Sequence, residues 1–250
     1  MDKIKKAFEN KKANIGYIVA GYPSVEHTKE FIANLNDSVI DILEVGIPYS
    51  DPIADGKTIF EASFKAVHNG VTTDTVFEIL SEAKTDKALV FLVYYNLIFA
   101  YGVKKFIEKS KEVGISGLII PDLPFEENEE IFNLCQEKNM ALIPLISITS
   151  EHRAPRLLTR SSGFIYAIGA LGVTGTKQSP LERNKNMVND LHKMSDLPVA
   201  LGFGIRSNAD IKLAKSYTDG AIVGTSIVEL CSKFSAKELN SEIAKLFAEQ

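Results

Sequence analysis

"LEVGIPYSDPIADG", residues 43–56, is the stretch on which the reading of this chain turns. Its first letters finish an apolar run that begins at Asp41, so Glu44 falls at or just inside the end of a candidate strand. Pro48 and Pro52 then exclude a helix, because proline fixes φ and lacks an N–H. Each also pushes the residue before it toward extended backbone. Asp51 before Pro52 and Asp55 before Gly56 are natural turn formers. The sequence thus sets one carboxylate on a strand and another, eleven positions later, in a stiff loop. A carboxyl held among apolar groups has its pKa raised. That suits a group that gives and takes protons near neutrality, although a glutamate bonded to backbone or to a neighbour could occupy the same place. If the loop folds over the strand end, Glu44 and Asp55 converge from different supports.

Working outward, eight short apolar runs bounded by turn residues recur along the chain: "IGYIVAG" (15–21), "DILEVG" (41–46), "ALVFLVYY" (88–95), "GLIIPD" (117–122), "ALIPLIS" (141–147), "GFIYAIG" (163–169), "LPVALGFG" (197–204) and "GAIVG" (220–224). Most are continuously apolar, as strands buried on both faces are. Segments of helical spacing lie between them. Ser24 is a candidate N-cap for "VEHTKEFIANL", and Ser207/Asp210 and Ser235/Glu238 have capping-box spacing. "KTIFEASFKAVHNG" and "TDTVFEILSEAKTD" give two helical pieces after the second run, and "MDKIKKAFENKK" reads as an extra N-terminal helix. Eight strands alternating with helices predict a single α/β domain over residues 1–250, a (β/α)₈ TIM barrel. An open doubly wound sheet is the alternative; it requires one or two of the runs not to be strands.

Composition narrows the function classes. A net charge of −4 argues against a nucleic-acid surface. No apolar run reaches the ~18–20 residues of a membrane span, and the N-terminal charges are not followed by a signal-type apolar stretch. Cys135 and Cys231 lie in helix-like segments and read as small core residues of a reducing, cytoplasmic compartment. No Cys/His/carboxylate group has metal spacing, so no metal is expected; His27, His68, His152 and His192 read as surface or packing residues.

In a barrel the active site lies at the C-terminal strand ends. Three late runs close on glycine there: "GVTG" (172–175) after the sixth, "GFG" (202–204) on the seventh, "GT" (224–225) after the eighth. Backbone N–H groups approach an anion closely where no Cβ intervenes. "TSIVELCSKF" after Gly224 predicts a short helix facing the same point, and barrels frequently seat a phosphate in these loops. "GFGIRS" fails as a dinucleotide fingerprint, since Ser207 stands where the third glycine belongs, and "GVTGTK" is not a nucleotide-binding P-loop.

These motifs resemble one family. "LEVGIPYSDPIADG" is similar to the signature of the tryptophan synthase alpha chains, and the resemblance continues in order through "GYIVAGYPS", "YYN", "IIPDLP", "GVTG", "GFGI" and "GAIVGTSIV". It implies a (β/α)₈ barrel that splits indole-3-glycerol phosphate into indole and glyceraldehyde 3-phosphate. It also implies a beta-chain partner in an α₂β₂ heterotetramer; the beta chain carries pyridoxal phosphate, and this chain carries no cofactor. By resemblance Glu44 and Asp55 are catalytic. Tyr17, Leu92, Tyr94, Ile119, Tyr166 and Thr174 contact the indole or its loop, and Gly175, Phe203, Gly204, Gly224 and Thr225 hold the phosphate. Asp51 and Pro52, at the outer bend of the loop, are expected partner contacts. The sequence departs from the family's habit at Tyr17, commonly phenylalanine, at Thr225, commonly serine, and at Ala170, often arginine. Another phosphate-binding barrel enzyme, or a free-standing lyase, remains the alternative reading.

Overall fold

The computed structural model describes residues 1–169 and 180–248. Its strands are β1 (Ala13–Val19), β2 (Ile42–Gly46), β3 (Ala88–Leu92), β4 (Ile115–Ile119), β5 (Ala141–Leu142), β6 (Leu145–Ser147), β7 (Ile165–Ile168), β8 (Val199–Gly202) and β9 (Gly220–Val223). All pair in parallel, in the order β5-β4-β3-β2-β1-β9-β8-β7-β6. The two ends of this order are two halves of one apolar run, split at Ile143–Pro144. Pro144 has no N–H to give a ladder. The Ile143 N–H donates to the Leu118 carbonyl at 2.9 Å, and the Pro144 carbonyl accepts from the Tyr166 N–H at 3.0 Å. The run therefore pairs first with β4 and then with β7, and this handover closes the sheet into the expected barrel.

The interior follows from the alternation of side chains along a strand. Ile42, Val90, Tyr166 and Ile222 belong to one buried cluster with Ile15, Ile119, Ala141 and Ala200, the barrel interior. Their chain neighbours Leu43, Phe91, Ala167 and Val223 belong to the other, between sheet and helices. Continuous apolar runs were read as strands buried on both faces, and these two clusters are those faces. The N-terminal helix Asp2–Phe8 plugs the bottom: Ile4 and Ala7 join the interior cluster, and the Phe8 and Phe164 rings lie 5.7 Å apart.

The outer layer holds the helices at the predicted places. Ser24 accepts the His27 N–H and caps Val25–Ala33. The Ser207/Asp210 box opens Asn208–Lys215, and the Ser235 N–H donates to Glu238 at the start of Ala236–Phe247. Helical spacing does not single out Ala154–Leu157 or Pro180–Met194, and one further helix replaces the end of an expected strand. β3 ends at Leu92 rather than running on to Tyr95, and Tyr95–Tyr101 is helical. Aromatic and branched residues there favour a strand locally. A carboxylate from the next loop decides otherwise: Asp122 accepts the Tyr95 N–H at 2.8 Å, where the helix begins.

Phe91 on β3, fully buried, packs against Phe77 at 5.8 Å and Phe106 at 5.9 Å between centroids. Truncating it leaves a void that three elements share. We expect Phe91→Ala to cost ~3–5 kcal/mol of unfolding free energy, the range for large aromatic deletions, measured by urea titration. A loss below ~1 kcal/mol would mean that this layer collapses onto the gap.

Candidate active site

The alternation that puts Ile42 inside the barrel also puts Glu44 inside, two residues nearer the C-terminal rim. Glu44 is 1 % exposed, and neither carboxylate oxygen has a hydrogen-bond partner among the described residues. Desolvation of the charged form pushes its pKa up to about 8. Among the described residues, then, nothing satisfies the glutamate of the opening motif.

Tyr17 on β1, level with Glu44 across the ladder, and Tyr166 on β7 flank it. Both are 6 % exposed. Burial raises both phenol pKa values, and the charges of Glu44 and Asp55 raise them further. Each ring leans over a glycine of the adjoining strand. A Cβ on Gly46 would lie 2.2 Å from the Tyr17 hydroxyl, and one on Gly202 would lie 2.5 Å from that of Tyr166. These two glycines make the room in which the tyrosines border the cavity.

Asp55 arrives on the loop, as its prolines suggested, and is half-buried. Burial raises its pKa, while a hydrogen bond from the Tyr94 hydroxyl lowers it. The same hydroxyl accepts the Ala54 N–H at 3.0 Å, so Tyr94 holds the loop as well as its carboxylate. Tyr49 stacks near Tyr94, 5.2 Å between centroids, and accepts from Asn96 on helix Tyr95–Tyr101. Ser63 ties down Tyr49 by accepting its N–H and donating to its carbonyl, at 2.8 and 3.0 Å. The loop carboxylate is thus placed by Tyr94, which follows β3, and by a helix that the sequence did not announce.

Beside these groups opens a cavity of about 350 Å³, lined by Glu44, Asp55, Tyr17, Leu92 and Tyr166. Phe203, Gly204, Gly224 and Thr225 line it too. Nine of the expected site residues therefore meet at one opening. Ile119, fully buried, lies in the barrel interior and not on the cavity wall. Asp51 and Pro52 sit on the loop's outer bend, Asp51 exposed. Thr174, Gly175 and Ala170 fall outside the described residues. Sequence reading missed Ile59, Ile205, Arg206 and Ile222, which also line the cavity. For Ile222 the signal was available: it stands two residues before Gly224 and so shares its face.

The glycine turn after β8 has an unusual backbone. Phe203 and Gly204 both have positive φ, +70° and +77°. For phenylalanine this costs ~1–2 kcal/mol, and such strain collects where a ligand is held. Gly224 precedes helix Thr225–Cys231, the short helix expected after the last strand. Among the described residues no group of three or more His, Cys, Asp or Glu could hold a metal ion, and no helix is long and apolar enough to cross a membrane.

The closed parallel barrel, with a protonatable carboxyl inside its mouth and a second on an overhanging loop, defines the class: a (β/α)₈ enzyme built for proton chemistry on a small ligand. The chain belongs to the tryptophan synthase alpha chain family, whose model matches residues 3–250. It is 42% identical over 243 residues to the tryptophan synthase alpha chain of Campylobacter jejuni, covering 97% of this chain and 98% of that one. To the alpha chain of Petrotoga mobilis it is 44% identical over 238 residues, covering 94% and 92%. The solved alpha subunit of C. jejuni superposes with a TM-score of 0.90 at 43% identity, over 96% of this chain and 97% of that one. A chain of the Pyrococcus furiosus tryptophan synthase complex superposes at 0.82 with 27% identity, over 94% and 98%.

Burial of Glu44 has a consequence for stability. Its folded pKa, about 8, lies above the ordinary value of 4.5. Between the two the native state holds a proton that the unfolded state has released, so stability falls as pH rises through that window. Glutamine has no such proton. We expect Glu44→Gln to melt above the wild type by a margin that widens from about pH 4.5 to about 8 and then levels. Calorimetry across that range checks this; a margin independent of pH would place an ionised Glu44 in the native state.

Proposed function

We propose that this chain cleaves indole-3-glycerol phosphate to indole and glyceraldehyde 3-phosphate as the alpha subunit of tryptophan synthase. Glu44 is the proton carrier and Asp55 the charge holder. The observation that supports this most is the buried, unpartnered carboxyl of Glu44 facing a cavity that Asp55 also lines.

The reaction breaks the bond between indole C3 and the first glycerol carbon. Protonated Glu44 gives its proton to C3, and positive charge develops on the ring nitrogen. The hydroxyl on the glycerol carbon then loses its proton to the same, now ionised, carboxylate. That oxygen forms the carbonyl of the aldehyde as the carbon–carbon pair returns to the ring and cancels the nitrogen's charge. Glu44 ends protonated, as it began, so one carboxyl at a pKa near neutrality serves both transfers. Asp55, ionised, accepts the ring N–H and stabilises the transient cation in a water-poor site. Tyr17, Leu92 and Tyr166 offer apolar and aromatic faces to the flat ring. Backbone N–H groups around Phe203, Gly204, Gly224 and Thr225 receive the phosphate, with the Thr225 hydroxyl in the role of the usual serine.

The working assembly is an α₂β₂ complex with a beta chain in the cytoplasm. Pyridoxal phosphate belongs to the beta chain, and this chain needs no cofactor. The docking face is the loop that carries Asp55. Ile53, at its crest, is 81 % exposed, and Phe99, on the helix that the loop is tied to, is 66 % exposed. Apolar residues left this open suit a partner's surface. A partner seated on Asp51, Pro52 and Ile53 biases the loop toward the arrangement that presents Asp55.

Three expectations follow from these roles. Glu44→Gln should lower kcat for indole release at least ~10²-fold, the scale of general acid–base catalysis, with substrate still bound in equilibrium titration. Asp55→Asn should also lose kcat; a rise in KM alone would make Asp55 a binding residue. Saturating beta chain should raise wild-type kcat more than ~tenfold, about 1.4 kcal/mol of barrier, and should raise that of Asp51→Ala much less. Equal activation of both would remove the loop from the contact.

A further inference from the structure

Electrostatics of the cavity, taken with the proposed substrate, points to a residue outside the expected set. The wall carries two carboxyls, Glu44 and Asp55, and the substrate brings a phosphate dianion. Backbone N–H groups supply only partial charges. Among the described lining residues one side chain carries a positive charge, and it is Arg206. It is exposed, and its guanidinium makes no hydrogen bond or ion pair with any described residue. Its backbone, by contrast, is held from two directions. The Arg206 N–H donates to the Asp210 carboxylate at 3.1 Å, and the Arg206 carbonyl accepts from the Ser226 hydroxyl at 2.9 Å. The second bond joins the turn after β8 to the helix after β9. It therefore roots Arg206 where the Phe203–Gly204 turn and the Gly224–Thr225 turn meet.

We propose that Arg206 is the cationic ligand of the substrate's phosphate and the residue that makes this cavity prefer a phosphorylated substrate. The guanidinium fork matches two phosphate oxygens at once. Its backbone is held, and its head is not committed to any described partner. A positive charge in the lining also draws a dianion toward a cavity whose ionised Asp55 would repel it. The inference rests on the reading of the cavity as a phosphate-ester site. It goes beyond that reading by adding a side-chain charge to a site otherwise made of glycine turns.

The test compares wild type, Arg206→Gln and Arg206→Lys in three measurements: indole release from indole-3-glycerol phosphate, the same assay with the dephosphorylated indole glycerol, and calorimetric binding of inorganic phosphate. For Arg206→Gln we expect KM for the phosphate ester to rise about tenfold or more, with kcat within about threefold. The dissociation constant of inorganic phosphate should rise by a similar factor. The ratio of kcat/KM between the two substrates should fall with it, and Arg206→Lys should recover part of each effect. Dependence of kcat/KM on ionic strength should be shallower in the glutamine variant. Unchanged KM and unchanged phosphate binding in Arg206→Gln would overturn the proposal. Should the wild type release no indole, the reading of the reaction fails, and phosphate binding still decides the role of Arg206. Melting temperature should not differ among the three, because the side chain has no described partner to lose.

Discussion

A buried carboxyl with no hydrogen bond from any described residue is the constraint on which the rest of this molecule depends. Taking an ionised carboxylate out of water costs several kcal/mol when nothing pairs with it. Glu44 avoids that cost by holding its proton, and the price is a group that changes charge near neutral pH. The barrel supplies the burial. Closure through the Ile143–Pro144 handover shuts the sheet, Ile42 and its ladder partner Ala88 fill the level beneath, and the N-terminal helix seals the bottom. A strand two residues shorter or longer would place the carboxyl at the solvent rim or deep in the core.

The mouth of the barrel divides labour between two carboxyls by giving them different surroundings. Glu44 has desolvation alone. Asp55 has partial burial opposed by the Tyr94 hydroxyl. Environments that pull two acids apart are how one site obtains both a proton donor and a standing negative charge. Tyr17 and Tyr166 border Glu44 only because Gly46 and Gly202 leave space for their rings, so the glycine of the "LEVG" motif acts through its neighbour's side chain.

Much of this was legible in the sequence, and the exceptions share a cause. Ser24 and the Ser207/Asp210 box announce their helices because a cap is a local bond over three residues. Glu44 and Asp55 could be picked out because prolines and turn residues set the loop's character locally. The helix at Tyr95–Tyr101 could not, because Asp122 arrives from another βα loop. The break at Pro144 was visible as a proline; its role in closing the sheet depends on both neighbouring strands. Ile119 has the right position at a strand end but is absent from the cavity lining, although Tyr166 and Ile222 of the same interior cluster reach it. Arg206 left no local mark: a single arginine after a glycine turn gains meaning only when Ser226 brings helix Thr225–Cys231 against it.

The central claim is that Glu44 is protonated in the resting protein at neutral pH. Infrared difference spectroscopy can read this directly, as the carboxylic C=O band present in wild type and absent in Glu44→Gln, followed as pH is raised. The account predicts that this band persists at pH 7 and disappears with a midpoint near about 8. A band already lost at neutral pH, with a midpoint near the ordinary value of 4.5, would contradict it: Glu44 would then start as a base, and the proton given to indole C3 would have to come from another group.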